Sequence, residues 1–335
     1  LSIIPAFRAI GQLGRLSAYS DDDIWAAIQR RQQPDDEAQG DNPLDLKLPE
    51  WQVFTQFNPD LNWDDFRLRP TVVPLAYTDW LDQVILVEKL REVQVLTGFT
   101  RLDSPGEVLE MGDAESTSQI VPLTRKEPTW LPAAEVRGEG IFLHFNEARV
   151  QRWLRTVSRR GAEFHQAHMR WRSARFIANP EEHDPGMRYV LLHSFAHALM
   201  RQMAMESGYT AASVRERIYS RNIGEPGGPM AGILIYTAAT DSEGTLGGLV
   251  KQGEPDTLER HIRLALEHAS LCASDPTCAE HTPSNDGISL HGAACHACMF
   301  VPETSCEQGN RYLDRAVLVP TFVDSTLNFF ALDEA

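Results

Sequence analysis

Five cysteines fall between residues 272 and 306 of a 335-residue chain that has none elsewhere. The thiolate is the chemically active form of cysteine, both as a nucleophile and as a soft ligand for zinc. Cys295 and Cys298 form a Cys-x-x-Cys knuckle whose two sulfurs can face one ion, and two flanking cysteines complete a tetrahedron. The expected ligands are Cys278, Cys295, Cys298 and Cys306, with Cys272 as an alternative fourth. Cys278 is preferred to Cys272 because the Asp275-Pro276 turn frees it from the end of a preceding helix. Four thiolates leave no position for water, so the zinc they hold is structural: it adds folding energy and does no catalysis. Clustered, odd in number and without a secretory leader, these cysteines predict metal binding in the cytoplasm and not a disulfide framework.

Catalytic patterns are mostly absent. His193 and His197 stand four apart, the spacing at which two imidazoles share a metal, but a zincin needs Glu directly after the first His and here Ser194 follows. Core histidines are therefore the expected reading. The alternative is a metal-dependent hydrolase or nuclease using His193, His197, Asp241 and Glu243. The loop DSEGTLGGL, from Asp241, matches no nucleotide fingerprint, and none of the four lysines (47, 89, 126, 251) follows a glycine, so the chain has no Walker A sequence. Deaminase, Gly-x-Ser-x-Gly and His-x-Lys patterns are missing as well. No residue is assigned a catalytic role.

The formal net charge of −16 argues against a protein that coats nucleic acid by itself, yet one strip is strongly basic. Between Arg149 and Arg175 there are eight arginines and one acid, Glu163, a local charge of +7 that leaves −23 for the rest. Arg152, Arg155, Arg159, Arg160, Arg170 and Arg172, with Trp153 and Trp171 interleaved, form a candidate nucleic-acid surface, guanidinium groups tracking phosphates and indoles stacking on bases. The competing reading is a helical face paired with the chain's own acids or with a partner.

These groups need a scaffold, and its elements are partly legible. Residues 188–206 draw an apolar stripe through Leu192, Ala196, Leu199 and Met203 that predicts a long helix ending near Gly208. Ile141, Leu143 and Phe145 alternate behind Gly138 and Gly140 as a strand should, and AGILIYT (231–237) reads as a buried strand. Between them a short helix is expected before the loop GEPGGP, and a further helix is expected where Asp256 and Glu259 form a capping pair ahead of Leu258, Ile262 and Leu266. Residues 80–96 fit a helix or a strand followed by a helix. The fold class is mixed α/β, with an N-terminal α+β region over 1–178 and an α/β zinc-binding domain over 179–335, divided at the loop NPEEHDPG. An acidic loop is expected near 32–45, and no apolar run is long enough to span a membrane. Opening on Leu1 with no charged-then-apolar leader, the chain reads as part of a longer polypeptide.

Five separated blocks carry a resemblance: LREVQVLTGFTRL (90–102), WLPAAEVRGEGIFLHF (130–145), VLLHSFAHALMRQ (190–202), MAGILIYTAATDSEGTLGGLV (230–250) and HGAACHACMFVPETSCEQGNRYLDR (291–315). In this order they resemble the DrmB accessory subunits of DISARM anti-phage systems. The second half is similar to the MrfA-type zinc-binding domain that this family shares with certain DNA-repair helicases. The resemblance implies a structural zinc and a heterodimeric pairing with an SNF-type helicase, the DrmA-like subunit, which supplies the ATPase and engages DNA jointly. It supplies no active site.

Overall fold

The computed structural model describes residues 3–9, 19–25, 45–100, 121–126, 129–177, 179–207, 211–237, 248–275, 277–283 and 289–330. Asp241 and Glu243, residues 32–44 of the expected acidic loop and the helix end at Gly208 lie outside them. The chain divides into two compact units, Leu1–Leu46 and Lys47–Ala335. The first contains helix α1 (Ile3–Ala9), whose Arg8 pairs with Asp21 at 2.6 Å.

The second unit is built on a five-stranded sheet of order β1-β2-β5-β7-β6, with every neighbouring pair antiparallel. Its strands are β1 (Arg67–Thr71), β2 (Leu81–Val95), β5 (Ala133–Phe145), β6 (Val214–Arg221) and β7 (Met230–Thr237); β3 (Gly98–Phe99) and β4 (Val121–Pro122) form a separate ribbon. Residues 80–96, expected to contain a helix, are instead one long strand. The reason is that both faces of β2 are covered. Val84 and Leu86 face the main core while Ile85 and Val87 face a second cluster under helix α2 (Lys47–Thr55), so the run Val-Ile-Leu-Val loses the polar alternation of a half-exposed strand. Trp51 and Phe54 of α2 close that second face over Phe142 and Tyr219. The short helix expected before GEPGGP is strand β6.

The boundary expected at 178/179 does not divide the molecule. Strand β5, on one side of it, pairs with β7, on the other, from Gly140↔Tyr236 to His144↔Gly232, so both halves share one sheet and one core. Across that core runs helix α5 (Gly186–Ser207), buried from Tyr189 to Met200. The sheet covers one side of it, and the loops after residue 290 are bonded to it through Ser194, His197 and Arg201. The arginine-rich segment forms α3 (Glu147–Thr156), capped by Asn146, and α4 (Ser158–Ala174). Helices α6 (Gly248–Gln252) and α7 (Pro255–Ser270) complete the layer. The N-cap of α7 is Glu254, with Pro255 in the first turn and no side-chain capping bond, so the expected pair of Asp256 and Glu259 does not open it.

Candidate metal centre

Cys272 follows Leu271, the C-cap of α7, Cys278 opens a single 3₁₀ turn, and Cys295 and Cys298 bracket a tight turn in which the Cys295 carbonyl accepts from the N–H groups of Cys298, Met299 and Phe300. The turn is clamped from outside. Arg201 of α5 donates to the carbonyls of Ala297 (2.6 Å) and Phe300 (2.7 Å), and His197 Nδ1 bonds the Met299 carbonyl (2.9 Å).

The four sulfurs converge. Cys272 Sγ lies 3.5 Å from Cys295 Sγ, and Cys298 Sγ lies 3.6 Å from both Cys278 Sγ and Cys295 Sγ. A disulfide would hold two sulfurs at about 2.05 Å, whereas Zn–S bonds of about 2.3 Å in a tetrahedron set them roughly 3.8 Å apart. The thiols are all free, and their spacing fits the zinc tetrahedron. Around Cys278, the hydrogen bond from Cys298 outweighs burial and, with Arg315 nearby, brings its thiol down to about 5. The same bond, with burial, pushes the Cys298 thiol up. Arg315, buried and bonded to the carbonyls of Ala269 and Ser270, fixes the end of α7 beside Cys272 and brings positive charge to a site that is formally −2 when zinc is bound.

Cys306, expected as a ligand, is elsewhere, and Cys272 and Cys278, expected as alternatives for the fourth position, are both in the cluster. Residues 306–310 turn back through Gly309 (φ 55°) and Asn310 (φ 65°), which carries the Cys306 sulfur to helix α5. There Cys306 Sγ lies 3.1 Å from His193 Nε2, and His193 Nε2 lies 2.9 Å from Glu216 Oε1. His197 Nε2 is 3.4 Å from the same oxygen. Burial opposes charge on His193, yet Glu216 and Cys306 raise its pKa well above the ordinary range; His197 is raised by Glu216 too. Reciprocally, Glu216 is held far below the usual carboxylate range by the two histidines despite its burial, and His193 brings the partly buried Cys306 thiol to about 7. Glu216 was missed in the sequence. Its signal was a lone acid on the inward phase of β6, between Val214 and Ile218.

The nucleic-acid candidates separate. Trp153 and Trp171 are buried; Trp153 Nε1 donates to the Leu327 carbonyl at 2.7 Å, while the guanidinium of Arg175 lies 3.9 Å from the Trp171 ring centroid. Neither indole is available to stack on a base, which corrects the expectation: at helical spacing both face the core. Arg160 and Arg172 are buried too, and Arg160 is paired with Asp314 (2.6 Å) and Glu163 (2.8 Å). Arg170 is half-buried, bonded to Gln166, whereas Arg152, Arg155 and Arg159 are exposed.

A sheet-backed helix beside a four-cysteine cluster defines the class of protein. Residues 195–299 match the family described as the MrfA Zn-binding domain, which covers all four clustered cysteines and ends before Cys306. Zinc is thus the cofactor of this domain, and the cluster has the donors to hold it. Among curated proteins, the chain is 40% identical over 289 residues to the DISARM protein DrmB of Bacillus paralicheniformis, covering 85% of this chain and 49% of that one. Both parts of the resemblance read from the five blocks are borne out, and the chain spans about half the length of the curated relative it matches.

Proposed function

We propose that this chain is a non-catalytic component of a DISARM-type anti-phage defence system, acting in the cytoplasm beside an SNF-type DNA helicase. The observation that carries the reading is the 40% identity to a DISARM protein over 85% of the chain. Two features support a subunit that borrows its chemistry. The chain has no Walker A lysine, and the fully thiolate cluster fills a zinc tetrahedron and leaves no site for water. Among the described residues, the carboxylate beside His193 and His197 is the buried Glu216, with Cys306 on the remaining side, a set of four protein donors that favours a structural over a hydrolytic role.

Exposed Arg152 and Arg155 on α3, with Arg159 at the start of α4, are the part of the strip that can still meet phosphates. The primary test is phage challenge of cells carrying the complete defence genes with and without this chain. Loss of protection together with co-purification of the helicase is expected; full protection without the chain would overturn the reading. For the DNA surface, reversing Arg152, Arg155 and Arg159 to Glu should flatten the salt dependence of DNA binding by the complex by up to about 2.7 in log–log slope. An unchanged slope would assign these arginines to a protein interface.

A further inference from the structure

The four donors around α5 have no part in the proposed role, yet they are arranged as a ligand set. His193 and His197 come from one helix at i and i+4, Glu216 from the adjacent edge strand β6, and Cys306 from the turn that folds back onto both. All four ligand atoms lie within 4.8 Å of one another. We propose that His193, His197, Glu216 and Cys306 hold a second zinc ion, in a closed site distinct from the four-cysteine cluster.

Three observations carry this assignment. The first is the direction of lone pairs. His197 Nδ1 faces the Met299 carbonyl, an acceptor, so that nitrogen carries the proton and Nε2 presents a lone pair toward Glu216 and Cys306. Glu216 Oε2 and His197 Nε2 are buried without a hydrogen-bond donor among the described residues. Acceptors converging in a dry site need positive charge among them, either protons on the imidazoles or a metal ion that displaces those protons.

The second observation is how Cys306 is held. Its sulfur accepts from two backbone N–H groups, Gln308 at 3.3 Å and Asn310 at 3.2 Å, and the left-handed turn at Gly309 and Asn310 aims both donors at it. Paired amide donors on one sulfur stabilise a thiolate, the form that binds metal. Glu216 receives matching support from the Glu307 N–H at 3.2 Å.

The third is charge. Two neutral imidazoles, one carboxylate and one thiolate sum to −2, so a zinc ion makes the site neutral. Neutrality suits a place where His193, His197 and the Glu216 side chain are 0% exposed. The donor separations of 2.9, 3.1 and 3.4 Å would open by up to about 0.4 Å to reach the roughly 3.3–3.8 Å edges of a zinc tetrahedron with mixed nitrogen, oxygen and sulfur ligands. With four protein ligands present the ion has no open position. Its effect is to staple α5 to β6 and to the 306–310 turn, much as the cysteine cluster staples the knuckle to the end of α7. His197 also joins the two sites through Met299, the neighbour of Cys298.

The test begins with the wild-type chain, so that no variant has to fold. Elemental analysis is expected to give two zinc ions per chain. X-ray absorption at the zinc edge is expected to show an average of about 2.5 sulfur and about 1.5 nitrogen or oxygen neighbours per ion. One zinc per chain with an all-sulfur shell would overturn the proposal. Cys306→Ala and His197→Ala are then each expected to retain one zinc, now with sulfur neighbours only. A soluble variant that keeps two zinc ions and the mixed shell would equally remove these residues from the site.

Discussion

At the scale of single residues, similar side chains divide by where the fold leaves them. Cys298 belongs to a four-sulfur cluster, and replacing it with serine leaves three thiolates and a poor ligand; Cys298→Ser should lose one zinc per chain and cost on the order of several kcal/mol of domain stability, read by elemental analysis and calorimetry. Arg159 and Arg160 are sequence neighbours with opposite fates. Arg159 is 95% exposed in its side chain, whereas Arg160 donates from Nε (2.8 Å) to the fully buried Asp314, which also accepts from the N–H groups of Ala293 and Ala316 at the base of the zinc loop. Arg160→Ala strands a buried carboxylate and should cost about 3–5 kcal/mol, while Arg159→Ala should stay within about 0.5 kcal/mol in chemical denaturation. A basic strip can be counted from composition. Which of its members meet water depends on Asp314, which is 154 positions away from Arg160 in the chain. The same limit explains the ligand set: a Cys-x-x-Cys knuckle is a local signal, but choosing among Cys272, Cys278 and Cys306 required the path of the turn after Cys306, which only its contacts with α5 and β6 determine.

Among elements, legibility followed the local punctuation around each one, because the central strands bury residues on both faces. The strand through Ile141, Leu143 and Phe145 was visible because Gly138 and Gly140 mark its entry, although Phe142 between them is buried in the second cluster, and β7 was visible as a short apolar run. The 15-residue β2 was ambiguous because its central residues are buried on both sides, and β6 was missed because Arg215, Glu216 and Arg217 hide its apolar phase. The shared sheet was also illegible, since no local pattern announces that β5 will pair with a strand some ninety residues later. That pairing rests on a small residue. A Cβ at Gly138 would lie 1.6 Å from the Thr237 carbonyl oxygen, a backbone atom that cannot rotate away. Gly138→Ala should therefore force the end of β5 from β7 and cost about 3 kcal/mol, whereas Gly186→Ala meets no atom within 4 Å and carries only the strain of its positive φ. Comparable losses at the two positions would mean that strand contact does not set the cost at Gly138.

For the whole molecule, the shared core makes acid sensitivity a global property. His144 on β5, His168 on α4 and His261 on α7 are drawn from three elements, and burial lowers the pKa of each below the ordinary histidine range. The unfolded chain takes up protons on these rings near pH 6.5, and the folded chain refuses them until lower pH. More protons are then bound by the unfolded state in that window, so the contribution of these rings to stability is complete above about pH 6.5 and is lost as pH falls through the folded-state values. Zinc release in acid acts in the same direction, because ligands must shed protons to bind metal. His261 separates the two causes: it is buried, lies outside both ligand clusters, and neither of its ring nitrogens has a hydrogen-bond partner among the described residues. In His261→Phe the ring cannot take a proton in either state. The gap in melting temperature between this variant and wild type should therefore shift in favour of the variant as pH drops from 7 to 5, with zinc content measured in parallel at each step. A gap that stays constant while both proteins keep their zinc would mean that His261 binds protons equally well folded and unfolded, and acid sensitivity would then belong to the metal sites and to the other two histidines.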